Sequence, residues 1–315
     1  SPILGAIMSQ YWNDRFSRWS RPPSDSEEAK ADRAARMVND AISGHAPLEG
    51  KRISVYGTGS YKNNTNTRNE SDIDIAVVLH DCFFSKYPNG KPPQPEDLGH
   101  AGGVKYGLKA FREDVGKALR AKFGADGVTA GSKAFDVHSN TARLDADVAV
   151  FLEHHRYTGK QNVDGTWHYL EGVEMRGKDN SRIINWHGDH YANGVDKNSR
   201  TGRRYKRVAR VLKCLRDDMK QSTDEAIRKA ADVPSFLLEC LAFNASDGCF
   251  QQGDLYDDLK AVITEVWNGT KPETDDLVYL EVSGLKWLFG SEQPWTKAGA
   301  HSFLLKAWQH VGFSK

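Results

Sequence analysis

Three stretches of the chain alternate apolar and polar positions with a period of two. "RISVY" (52–56) and "DIAVVL" (74–79) predict short strands. "RLDADVAVFL" (143–152) predicts a third, with Ala146, Val148 and Val150 opposite Asp145 and Asp147. Elsewhere the period is helical. Glu27–Ser43 places Ala31, Ala34, Ala35, Val38 and Ile42 on one side, with Ser24 as N-cap, and 104–122 does the same with Leu108, Phe111, Val115 and Leu119. Between these helices, "PNGKPPQPEDLGHAGG" (88–103) predicts an exposed loop. The polar region 159–199 holds short strand candidates such as "TWHYLEG" and is expected to lead out of the sheet. From Gly202 on, helices are expected over 203–219, 234–244, 254–267, about 275–289 and 297–311. The outline is a mixed α/β lobe followed by a helical lobe, with the helix after residue 24 bracing both.

Composition narrows the function classes. The chain has 315 residues, 39% of them apolar and 27% charged, which suits one large or two packed lobes of a globular protein. No window approaches the ~18–20 apolar residues of a membrane span, so a cytoplasmic protein is expected. The chain opens on Ser1-Pro2, Met8 reads as a natural start, and residues 1–7 are assigned no function. Cys82, Cys214, Cys240 and Cys249 lack zinc-site spacing, so free thiols are expected. A net charge of +1 argues against a broad platform for a polyanion.

The candidate chemistry lies in "YGTGSYKNNTNTRNESDIDIAVVL" (56–79). Side chains alternate across a strand, so Asp72 and Asp74 face one way while Ile73 and Ile75 enter a core on the other side. Asp145 and Asp147 likewise share a face, and a neighbouring strand would bring a third carboxylate alongside the first two. Three such acids repel unless a cation sits among them, and hard oxygen ligands select magnesium or manganese. Two such ions are a standard device for displacement at phosphorus. Ahead of the acids, Gly57 and Gly59 let the backbone turn closely, so its N–H groups and the Ser60 hydroxyl can hold phosphate oxygens.

These segments carry a resemblance. "GTGSYKNNTNTRNESDIDIAVVL" and "LDADVAVFLE" resemble the signature of polymerase-β-type nucleotidyltransferases, and more closely the branch containing oligoadenylate synthetases, cyclic GMP-AMP synthase and bacterial CD-NTases. "WSRPPSDSEEAK", "RRYKRVARVLKCLRDDM", "VPSFLLECLAFN" and "FLLKAWQHVGF" are similar to recurring CD-NTase segments, so nearly the whole chain is covered. The resemblance implies an α+β fold: a polymerase-β-like mixed-sheet lobe (1–195, including the N-terminal brace helix) packed on a helical lobe like that of oligoadenylate synthetases (196–315). It implies a synthase of a cyclic di- or trinucleotide messenger made from nucleoside triphosphates, ATP among them, with pyrophosphate release, in anti-phage (CBASS-type) signalling. A linear nucleotidyltransferase acting on RNA, a small molecule or a protein is the alternative. Asp72, Asp74 and Asp147 would bind two Mg²⁺ ions, with Mn²⁺ as a substitute, and Gly59 and Ser60 would bind the nucleotide. Asp147 is preferred to Asp145 because the family's third Asp directly precedes a run of strand residues, as in "DVAVFL"; the proline that often follows in bacterial relatives is missing here, and Asp145 stays open.

Between Lys197 and Arg216 there is no acid, and Val208, Val211, Leu212, Leu215 and Met219 form a buried stripe. The face with Arg203, Lys206, Arg210 and Lys213 is therefore expected to be free for an anion. A solvated face, a triphosphate and a nucleic acid compete for it. The resemblance favours Lys213 at the triphosphate, while the low net charge argues against nucleic-acid activation. An activating protein, if one exists, would be encoded nearby. "EHH" (153–155), "NWHGDHY" (185–191), His301 and His310 repeat no metal spacing and are expected in loops or on the surface; Trp186 and Tyr191 are expected in the core rather than stacked on a base.

Overall fold

The computed structural model describes residues 2–22, 25–67, 72–100, 103–139, 144–274 and 278–313. The expected N-cap Ser24 lies outside the described residues. In chain order the elements are α1 (Pro2–Trp19), α2 (Asp25–Ser43), β1 (Ile53–Gly57), α3 (Gly59–Asn63), β2 (Ile73–Lys86), α4 (Leu108–Phe123), β3 (Val128–Ala130), β4 (Ala134–Ser139), β5 (Leu144–Gln161), β6 (Trp167–Arg176) and β7 (Arg182–Asn185). They are followed by α5 (His187–Arg200), α6 (Arg204–Met219), α7 (Glu225–Ala230), α8 (Ser235–Asn244), α9 (Leu255–Gly269) and α10 (Lys297–Val311).

The chain divides into two compact units. The first comprises residues 24–62 and 71–187; the second comprises 1–23, 63–70 and 188–315. In the sheet unit the strand order is β1-β2-β5-β4-β3, with β6 pairing the far half of β5 and β7 pairing β6. β2 and β5 run parallel, and every other pair is antiparallel. One sheet face is apolar: Ile73, Ile75, Val77 and Leu79 of β2 and Ala146, Val148, Val150 and Leu152 of β5 form a core with Ala34, Val38, Ala41 and Ile42 of α2 and Phe111, Val115 and Leu119 of α4. That is the burial expected from the two periods in the sequence. The opposite face carries a smaller cluster of Ala76, Val78, Phe151, Val173 and Met175.

The helical unit has its own core. Val208, Val211, Leu212, Leu215 and Met219 of α6 are buried with Leu237, Leu238 and Leu241 of α8, Leu259, Val262 and Val266 of α9, and Phe303, Leu304 and Ala307 of α10. Trp12 and Phe16 of α1 join them.

Three expectations are corrected. Region 159–199 does not lead out of the sheet: β5 continues to Gln161, and β6 and β7 extend the sheet before α5 begins. The helix expected over about 275–289 is not formed by its described residues. Gly284 takes φ +71°, a left-handed conformation that suits glycine, and the chain folds back so that Glu281 N–H donates to Lys286 O and Leu288 N–H to Tyr279 O. His154 and His155 are buried in β5 rather than at the surface, each with one ring nitrogen on a carboxylate: His154 Nδ1 lies 2.8 Å from Glu174 Oε2, and His155 Nε2 2.9 Å from Glu153 Oε1.

Candidate active site

β1 ends at Gly57, and the Thr58 N–H donates to Asp74 O at 2.8 Å, which seats the turn against the start of β2. Gly59 then opens α3 with φ +65°, and a Cβ built on it would overlap the Asp74 carboxylate. Only glycine allows this approach. Ser60 follows in the first turn of α3, partly exposed, where backbone N–H groups have no partner within the helix.

Register brings the acids together. Asp74 of β2 is the parallel partner of Asp147 of β5, and Asp147 is in turn the antiparallel partner of Asp136 of β4. Three carboxylates thus form one row across three strands, on the face opposite the Ile75 and Val148 core. Asp72 precedes β2 and acts electrostatically on Asp147. In the next row His138 of β4 pairs with Asp145, its Nδ1 3.2 Å from Asp145 Oδ1 and its Nε2 2.9 Å from Asp136 Oδ2. Hydrogen bonds donated by the ring to these two carboxylates, Asp145 first, raise the His138 pKa.

The two candidates for the third acid therefore differ. Asp147 is level with Asp74 and half-buried; Asp145 is exposed and engaged by His138. Burial raises the Asp147 pKa, and the charges of Asp72 and Asp136 push it further the same way, with His138 opposing. Like charge brought onto one face in this way is what a divalent cation relieves, and the donors are hard oxygens. Among the described residues, no three acidic, histidine or cysteine side chains already converge on one point as a metal cluster. What the register does supply is carboxylates at adjoining positions of neighbouring strands, the donor chemistry that a hard divalent ion takes. The residues fit divalent ions.

Asp136 and His138 were missed by the sequence reading, because "FDVHS" was not assigned to a strand. Its signal was there: Phe135 and Val137 alternate with them and are buried.

Lys213 lies in the helical unit. It is 1% exposed, its Nζ donates to Thr65 O at 2.9 Å and sits 3.8 Å from Glu239 Oε2. Arg210, 4% exposed, donates to Ser20 O and Asn64 O. The face of α6 expected to be free is thus turned inward at these two positions. The loop carbonyls of residues 64 and 65 have no helical or strand partner, and the long basic side chains supply it. Trp186 is buried under Arg156, as expected of a core residue, and Tyr191 is exposed.

Two family models match the chain. Residues 192–312 match the cGAS/DncV-like nucleotidyltransferase C-terminal helical domain, and residues 46–87 match the nucleotidyltransferase domain. The chain is 37% identical over 304 residues to a cyclic dipyrimidine nucleotide synthase of Legionella pneumophila, covering 96% of this chain and 99% of the relative. It is 31% identical over 299 residues to a cyclic dipurine nucleotide synthase of Elizabethkingia meningoseptica, covering 94% and 96%. The solved structure of the Rhodothermus marinus CdnE c-UMP-AMP synthase with Apcpp and Upnpp superposes with a TM-score of 0.80 at 27% identity, covering 96% of this chain and 97% of that one.

Proposed function

The chain belongs to the cGAS/DncV-like nucleotidyltransferases, enzymes that make cyclic nucleotides, and we propose that it joins two nucleoside triphosphates into a cyclic dinucleotide at the carboxylate row of its sheet unit. The observation that carries this reading is the register of Asp74 with Asp147 on neighbouring parallel strands, beside the Gly59–Ser60 turn.

In each of two rounds a ribose hydroxyl attacks the α-phosphorus of a triphosphate, a phosphodiester bond forms, pyrophosphate leaves and the hydroxyl proton passes to solvent. Asp72, Asp74 and Asp147 would hold divalent ions, Mg²⁺ by preference, and these supply charge neutralisation at the phosphates and a lowered hydroxyl pKa when bound. Ser60 and the backbone N–H groups at the start of α3 hold phosphate oxygens and orient the donor. Lys213, buried and hydrogen-bonded to Thr65 O, would serve the nucleotide only indirectly, through the chain segment it holds. The sheet unit would carry the chemistry. Base choice is left to this chain's own pocket, because relatives of similar identity are named for pyrimidines in one case and purines in another.

As further parts of this proposal, ATP is among the substrates, synthesis takes place in the cytoplasm, the product serves anti-phage signalling, and a regulatory protein encoded nearby controls it. Among the described residues no helix is long and apolar enough to cross a membrane.

The test is to incubate the protein with four nucleoside triphosphates and magnesium, treat with phosphatase and analyse by mass spectrometry. Phosphatase-resistant cyclic dinucleotide is expected, and its loss in Asp72→Asn/Asp74→Asn. A phosphatase-sensitive or polymer-attached product would point to linear transfer instead.

A further inference from the structure

The chain between the phosphate turn and the metal-binding acids does not stay in the sheet unit. Residues 63–70 belong to the helical unit, although Gly59–Lys62 before them and Asp72 after them belong to the sheet unit. Asn63, Thr65, Asn66 and Thr67 are all buried. Such burial is unusual for a loop, whose backbone groups ordinarily turn to water.

Two helices hold this segment, and a third buttresses them. From α8, Glu239 accepts from Thr65 Oγ1 at 2.6 Å and is 2.8 Å from His190 Nε2 of α5. From α6, Lys213 donates to Thr65 O at 2.9 Å, and Arg210 donates to Asn64 O at 2.5 Å. Glu239 is 4% exposed and answers the Lys213 ammonium 3.8 Å away, so both charges are compensated where they lie. Not every group is satisfied. The side-chain nitrogen and oxygen of Asn66 are buried with no hydrogen-bond partner.

We infer that Glu239, Lys213 and Thr65 form a positioning device for nucleotidyl transfer: the cluster fixes residues 63–67, and through α3 it fixes Ser60. None of the three is a catalytic residue on this account. The reach is short. Ser60 and Asn63 are in one helix. A shift of about 1 Å in a reacting group lowers a rate by about 10²-fold, so a buried clamp on this segment acts on turnover. The inference rests on the proposed nucleotidyl transfer.

The experiment uses Thr65→Val, which keeps the shape and deletes the hydroxyl donor, beside Thr65→Ser, which restores it. Pyrophosphate release gives kcat and KM, thermal unfolding gives Tm, and hydrogen exchange reads the amides of residues 59–63. The clamp predicts a fall in kcat of about 10- to 100-fold with KM little changed, faster exchange at 59–63, and recovery of both in Thr65→Ser. Unaltered kcat, or a lowered Tm with unaltered kcat and exchange, would overturn it. If Thr65→Val does not fold, Glu239→Gln is read by the same measurements. Persistence of activity in Asp72→Asn/Asp74→Asn would sink nucleotidyl transfer itself, while the exchange at 59–63 would still judge the clamp.

Discussion

Gly59 and Asp74 occupy each other's space: the position a Cβ would take on Gly59 is filled by the Asp74 carboxylate. The Gly59–Ser60 turn and the start of β2 are therefore built as one object. Gly59→Ala forces the carboxylate aside and strains a backbone at φ +65°. The backbone strain alone is about 1–2 kcal/mol, a survivable loss of stability. Product formation, which depends on where Asp74 points, should fall about 10²-fold or more. Parallel measurement of Tm and pyrophosphate release checks this, and wild-type turnover in a folded Gly59→Ala protein would show that Asp74 has no such role.

Asp147 and Asp145 separate by register. Asp147→Asn removes a charge from the row containing Asp74 and should lower turnover by about 10²–10³-fold. Asp145→Asn only weakens the hold on exposed His138, and activity should stay near wild type. Initial rates of the two variants at saturating nucleotide decide between them.

What the sequence made legible followed from periodicity. The alternation in "SDIDIAVVL" and "LDADVAVFL" put Asp72, Asp74 and Asp147 on one face and their neighbours in a core, and the structure has Ile73, Ile75 and Val148 buried as that alternation requires. Asp136 and His138 were harder to read, because their strand β4 is six residues long and flanked by glycine and polar residues, so the short alternation of Phe135 and Val137 was its only local signal. The inward turn of Lys213 and Arg210 was hidden for a different reason. Charge on a helix face reads as solvated unless the partner is known, and here the partners are carbonyls about 150 residues earlier in the chain.

The fold of the helical unit should weaken in acid through Glu239. Burial alone would raise this carboxyl, but the hydrogen bond from His190, the Lys213 charge and the Thr65 hydroxyl outweigh it and hold its pKa at about 2. A depressed folded pKa gives stability that is fully present above the unfolded value of about 4.3 and is lost as pH falls through that value toward 2. Urea unfolding of wild type and Glu239→Gln across this range should show the difference between them shrinking as pH falls. A difference independent of pH would mean that the ionised carboxylate is not what stabilises the cluster.

Asp147 has the opposite sign, which gives the ions a thermodynamic signature apart from turnover. Burial and the charges of Asp72 and Asp136 raise its folded pKa, so the folded state binds the proton more tightly than the unfolded one. Its contribution to stability therefore falls as pH rises from the unfolded value through the raised folded one, and at neutral pH the ionised row is a source of instability. Asp147→Asn should accordingly raise Tm in chelator while lowering turnover. Mg²⁺ relieves the same repulsion by binding the folded chain, so wild-type Tm should climb with ion concentration as RT ln(1 + [L]/Kd) dictates. Asp72→Asn/Asp74→Asn should show a much smaller rise. Sodium chloride at matched ionic strength separates binding from screening; an equal shift with either salt would mean that the row holds no specific ion.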